Sequence, residues 1–186
     1  MASSISDPIA DTRRWVERAV IGLNLCPFAK AAEAKGVVRY VASELEDEAA
    51  LMELLRAELE LLAAADPAEH ETTLIVVTEI LHDFLDFNDF LGEGDWLLER
   101  MGLEGEVQLA SFHPDYQFEG TEPGDITNAT NRSPWPTLHL LREDSIDRAV
   151  EAFPEAAEIY ERNMEVLKEL GPAGWEALGV GRGGKA

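Results

Sequence analysis

At 186 residues, with 46% apolar side chains, the chain is long enough to bury a core without disulfide or metal staples, and it reads as one domain. A formal net charge of -22 and a pI of about 4.3 repel phosphate backbones and anionic lipid, so no nucleic-acid or membrane partner is expected. One cysteine, Cys26, excludes an internal disulfide and a multi-cysteine zinc site. No basic-then-apolar leader and no apolar run of membrane length is seen, which points to the cytosol.

Met1–Ile5 reads as a loose start. Asp7-Pro8 or Asp11 can cap a helix that runs through Leu23, with Trp15, Ala19, Val20 and Leu23 at buried-face spacing. Pro27 ends it, and Phe28–Lys35 adds a short helical turn closed by Gly36. Val37–Ala42 is a strand rich in β-branched residues. Glu46–Ala65 is an amphipathic helix with Leu51, Leu55, Leu59 and Leu62 on one side. Thr72–Glu79 is apolar on both faces, which predicts a central strand. Ile80–Gly92 and Asp95–Met101 read as one broken helical region, and Val107–Phe112 as a further strand. After a long loop, Thr137–Arg142 is the fourth strand. A helix capped by Asp144 or Ser145 follows, with Ile146, Ala149 and Val150 inside, and then one from Pro154 to Leu170, stopped by Gly171-Pro172. Trp175 is expected to pack the tail back, and residues 181–186 to be disordered. Strands separated by helices predict an α/β (or α+β) fold, a single four-stranded mixed sheet packed with helices on one face or both.

The loop between the last two strands carries most of the polar chemistry. Glu119–Pro136 fits neither helical nor strand spacing, and a loop of this length in a compact domain is usually functional or unstructured. Pro134 and Pro136 flank Trp135, which argues for order and for a buried indole with a partner for its N–H.

Several stretches resemble a bacterial family, the domain of unknown function 1415 family. They are Gly22-Leu-Asn-Leu-Cys-Pro-Phe-Ala, the Phe84–Phe90 run, Ser111-Phe-His-Pro-Asp-Tyr-Gln-Phe and Asn131-Arg-Ser-Pro-Trp-Pro-Thr-Leu-His-Leu-Leu-Arg-Glu. The resemblance covers nearly the whole chain and implies a stand-alone protein of this length. It implies no activity and no catalytic residues.

The chemistry is therefore read from the residues. His113, His139 and Asp115 form the candidate catalytic set: strand alternation puts His113 in the row of Val107, Leu109 and Ser111, and His139 in the row of Thr137 and Leu141, so the imidazoles converge if the strands pair suitably. Glu79 and His82 can join His113 and His139 around a divalent metal such as zinc, iron or manganese; the plainer alternative is four locally bonded polar residues. Arg132, with Asn128, Asn131 and Ser133, can clamp an anionic substrate, or Arg132 can pair with Asp125 or Glu122 to hold the loop. Cys26 is either a nucleophile at a helix start or a small buried hydrophobe. Phe84, Phe87 and Phe90 read as core rather than a ligand floor. The leading expectation is a small cytosolic enzyme acting on a small anionic metabolite, with a non-catalytic ligand-binding or adaptor protein as the alternative.

Overall fold

The computed structural model describes residues 7–152 and 158–184. The expected loose start at Met1–Ile5, the helix start at Pro154, and Lys185 and Ala186 lie outside the described residues. Four strands form one sheet: β1 (Val38–Ser43), β2 (Thr72–Val77), β3 (Val107–Phe112) and β4 (Thr137–Arg142). The order is β1-β2-β4-β3. β1 and β2 are parallel, and β4 runs antiparallel to both β2 and β3, so the sheet is mixed as the element order predicts. All six residues of β2 are buried, which is why that segment is apolar on both faces.

Helices cover both faces. On one, α3 (Glu48–Ala64) lays Leu51, Leu55, Leu59 and Leu62 against Ile75, Val77, Leu138 and Leu140. α4 (Phe84–Arg100) adds Phe87, Phe90, Leu97 and Leu98 to the same core. On the other face, Trp15, Val16, Ala19 and Val20 pack with Leu74, Val38, Phe112, Trp175 and Val180. The N-terminal helix supplies that layer as α1 (Pro8–Trp15) and a wider π-helical segment (Val16–Ile21), followed by α2 (Ala29–Lys35). The long chain segment between β4 and the C-terminus forms α5 (Glu143–Ala152) and α6 (Ile159–Ala177), the latter broken at Gly171, where φ is 67°. Val150, expected inside α5, is exposed.

Aspartates account for three of the helix starts. Asp7, Asp47 and Asp83 accept hydrogen bonds from first-turn amides of α1, α3 and α4, so part of the acidic composition serves as N-caps. At the other end of α3, Arg142 donates to the carbonyls of Leu62 and Ala65 at 2.6 and 2.8 Å.

Two expectations are corrected. The broken helix at Ile80–Met101 is one uninterrupted helix that begins only at Phe84. Gly94 is no stop: a Cβ there would lie 2.7 Å from Leu109 Cδ2 and 3.3 Å from Leu55 Cδ2, so glycine lets α4 approach the sheet closely. The second correction concerns Gly181–Gly184, which are not loose. Arg182 stacks 3.9 Å from the centroid of the Trp135 ring and donates to the Pro134 carbonyl, and the Gly183 amide donates to Asp11. The Gly-rich composition hid one arginine that anchors the segment.

Candidate functional site

His113 follows β3 and is completely buried. Its ring sits between Phe84 and Phe87, at centroid distances of 5.3 and 5.1 Å. Nε2 lies 3.1 Å from the Leu81 carbonyl, which can only accept, and Nδ1 accepts from the Asp115 amide at 3.0 Å. The two partners fix a neutral imidazole with its proton on Nε2. Burial holds its pKa below the ordinary value, against the opposing bond to Leu81 and the charge of Asp115. The Asp115 side chain itself is exposed, and the hydrogen bond to the ring comes from its backbone. Leu81 is a non-glycine residue at φ 59°, a left-handed conformation costing about 1–2 kcal/mol. Its buried side chain and its carbonyl, held by His113, keep it there.

His139 is on the other face. In β4 it pairs with Ala110 of β3, and residues directly opposite one another share a face. Its row is therefore that of Ala110 and Phe112, whose ring centroid is 5.7 Å away, while His113 continues the Val107, Leu109, Ser111 row. The sheet separates the two imidazoles, so the expected convergence does not occur. Thr72 donates to the Leu140 carbonyl at 2.6 Å, and its oxygen lies 2.8 Å from His139 Nε2, which is thereby the donor. Burial lowers the His139 pKa from 6.5 to about 4. The unfolded chain then takes up the proton first as the pH falls. The His139 contribution to stability is complete above about pH 6.5 and declines towards pH 4. The loss is about 2–3 kcal/mol, after allowance for residual solvent access. Urea unfolding of the wild type and of H139Q at pH 7 and pH 4 is expected to show a stability gap that changes by this amount; an unchanged gap contradicts the burial account.

The proposed metal ligands are likewise scattered. Glu79 and His82 are exposed in the turn before α4, not in a helix, while His113 is inside and His139 lies across the sheet. Among the described residues no three His, Cys, Asp or Glu side chains come together to hold a metal ion. Cys26 is half-buried at the edge of the Trp15 core and packs there as a small apolar side chain.

The Glu119–Pro136 loop is ordered by its own polar groups. Asp125 caps a 3-10 turn (Ile126–Asn131) through the Thr127 amide. Asn128 is fully buried; it accepts from the Phe118 amide and donates to the Glu122 carbonyl. Asn131 accepts the His113 amide through its backbone carbonyl. Arg132 donates to the carbonyls of Tyr116 and Pro123 at 3.1 and 2.7 Å, so it holds the loop, though through carbonyls rather than Asp125 or Glu122. Ser133 donates to the Trp135 carbonyl. The 3-10 turn packs Ala129 against Leu25 and Leu167, and Asn163 of α6 secures Leu25 through its carbonyl.

Asp11 is the residue that sequence reasoning undervalued. It is 2% exposed and accepts from Arg14, from the Trp135 indole at 3.2 Å and from the Gly183 amide. It thus joins α1, the motif loop and the C-terminal segment. The signal was its place four residues before Trp15, on the buried stripe of its helix. Two open surface depressions lie elsewhere. One is lined by Glu60, Ala63, Ala64, Met101 and Leu103, the other by residues 36–40 with Leu61, Glu69 and His70.

Together these features define a small α/β protein in which a polar, proline-framed loop is bonded into the fold. The chain matches the family described as Protein of unknown function (DUF1415) over residues 7–177, and it belongs to that family. No curated protein and no solved structure matches it. Among the described residues no helix is long and apolar enough to cross a membrane.

Proposed function

We propose that the protein is a non-catalytic binding or adaptor protein of the cytosol, acting as a single domain and partnering neither nucleic acid nor membrane. The observation that carries this reading is on α4: Leu85 is 71% exposed and Trp96 59% exposed, while the polar side chains of the motif loop bond inward. A contiguous exposed apolar patch marks an interaction site, and Leu85 and Trp96, on one helix, are the side chains from which such a patch would be built. Trp135 is half-buried under Arg182 and offers no such surface.

The enzyme reading, a small anionic metabolite handled by a histidine-containing site, keeps one specific support. Among the described residues the Trp15 indole N–H finds no hydrogen-bond partner; it is buried beside Phe112, whose ring also meets His139. A ligand oxygen there would satisfy it.

A photo-activated cross-linker placed at position 85, and for comparison at the exposed Glu53 of α3, separates the readings in living cells. A discrete protein adduct from position 85 and none from position 53 is expected. Absence of adducts, together with stabilisation of the purified chain by a small anionic metabolite, overturns the adaptor reading; saturation at one hundred times Kd corresponds to about 2.7 kcal/mol.

A further inference from the structure

Resting on that reading, we propose that the exposed face of α4 docks a basic amphipathic helical segment of a partner protein. At about 100° per residue, Leu85, Gly92 and Trp96 fall within about 20° of one line, and Leu85 and Trp96 are about 16 Å apart along the axis. Both apolar side chains point to solvent, whereas Phe87, Phe90, Leu97 and Leu98 take the opposite, core-facing side. Between them a Cβ on Gly92 would meet nothing within 4 Å, so the middle of the stripe is open to close approach by another backbone.

Charge selects the occupant. Asp86 and Glu93 flank the stripe on one side, Asp95 and Glu99 on the other, and Asp89 lies along it; all five are exposed. A second copy of this chain would bring the same five carboxylates against its own, in a molecule of net charge -22, and is disfavoured. A helix with leucine-like anchors at i, i+3 or i+4 and i+7, rimmed by Lys and Arg, matches both the apolar line and the acidic margins. The surface already displays one such contact: the Arg100 guanidinium lies 4.6 Å from the Trp96 ring centroid, a cation on an aromatic face in acidic surroundings. A partner arginine on the open face of the ring repeats it.

The test uses the full chain and two synthetic helical peptides of about 18 residues, or five turns, with the same leucine face. One carries Lys and Arg on its polar side, the other Glu. Calorimetric titration is expected to show micromolar binding of the basic peptide only. That binding should weaken several-fold between about 50 and 300 mM salt, and at least about tenfold in the double variant L85A/W96A. Equal binding of the two peptides, or basic-peptide binding that ignores L85A/W96A, overturns the proposal. So does dimerisation of the chain through this face, read by sedimentation and abolished by the same double variant. If neither peptide binds while position 85 still cross-links in cells, the basic partner is wrong and the adaptor reading stands. If the cross-links are absent too, both fall.

Discussion

Replacing Asp11 with alanine is expected to destabilise the folded chain by about 3–5 kcal/mol. The carboxylate is almost inaccessible, and its partners are a guanidinium, an indole N–H and a backbone N–H from three separate parts of the chain. Arg14 is itself only 14% exposed at its side chain, and without Asp11 it retains the Gly179 carbonyl but loses its counter-charge. Breaking a buried ion pair on one side leaves the other charge uncompensated, which makes this loss larger than that of a surface pair. Urea unfolding at neutral pH measures it. Amide exchange should further show the Gly183 N–H losing protection ahead of the sheet. A stability within about 1 kcal/mol of the wild type contradicts the account, since that is what a solvated pair contributes.

His113→Ala is expected to be comparably damaging, at about 3–5 kcal/mol, and through packing rather than catalysis. The substitution empties a site between two phenylalanine rings, leaves the Leu81 carbonyl without its donor, and removes the acceptor of the Asp115 amide. Leu81 then keeps its left-handed backbone with one fewer constraint. His113→Phe fills the volume but restores neither bond, and should lose less, about 1–3 kcal/mol. Chemical denaturation of the three proteins gives the ordering. A histidine needed only for proton transfer would leave all three equally stable, and that outcome refutes the packing role.

What could be read before the structure was what repeats locally. β3 and β4 follow their expected bounds because alternation and flanking turns define them, and α3 follows its leucine line. β2 is interior because it is apolar on both faces, a property of its own six residues. The candidate site failed where the answer depended on how separate segments align. Alternation assigns His139 to the Thr137 and Leu141 row, but only the pairing of Ala110 with His139 tells which side of the sheet that row occupies. Likewise Gly92 and Gly94 look alike as helix breakers; one is open to solvent, and the other is pressed against Leu109 and Leu55. Arg132 stands out in the sequence as the loop's cation, yet backbone carbonyls, which no side-chain pattern displays, are what it bonds.

The bond between Asp11 and Gly183 spans 172 positions of sequence. Translation proceeds at about 5–20 residues per second, so α1 emerges roughly ten to thirty seconds before the segment that completes its surroundings. During that interval the apolar side of the N-terminal helix, with Trp15, Val16 and Ala19, has no Trp175 or Val180 to rest on. The sheet, the α3–α4 layer and the N-terminal helix can assemble meanwhile, so the nascent protein passes through a stage in which the Trp15 face lacks only its C-terminal cover. The order of synthesis therefore leaves the Trp15 side of the sheet as the last to receive its full cover.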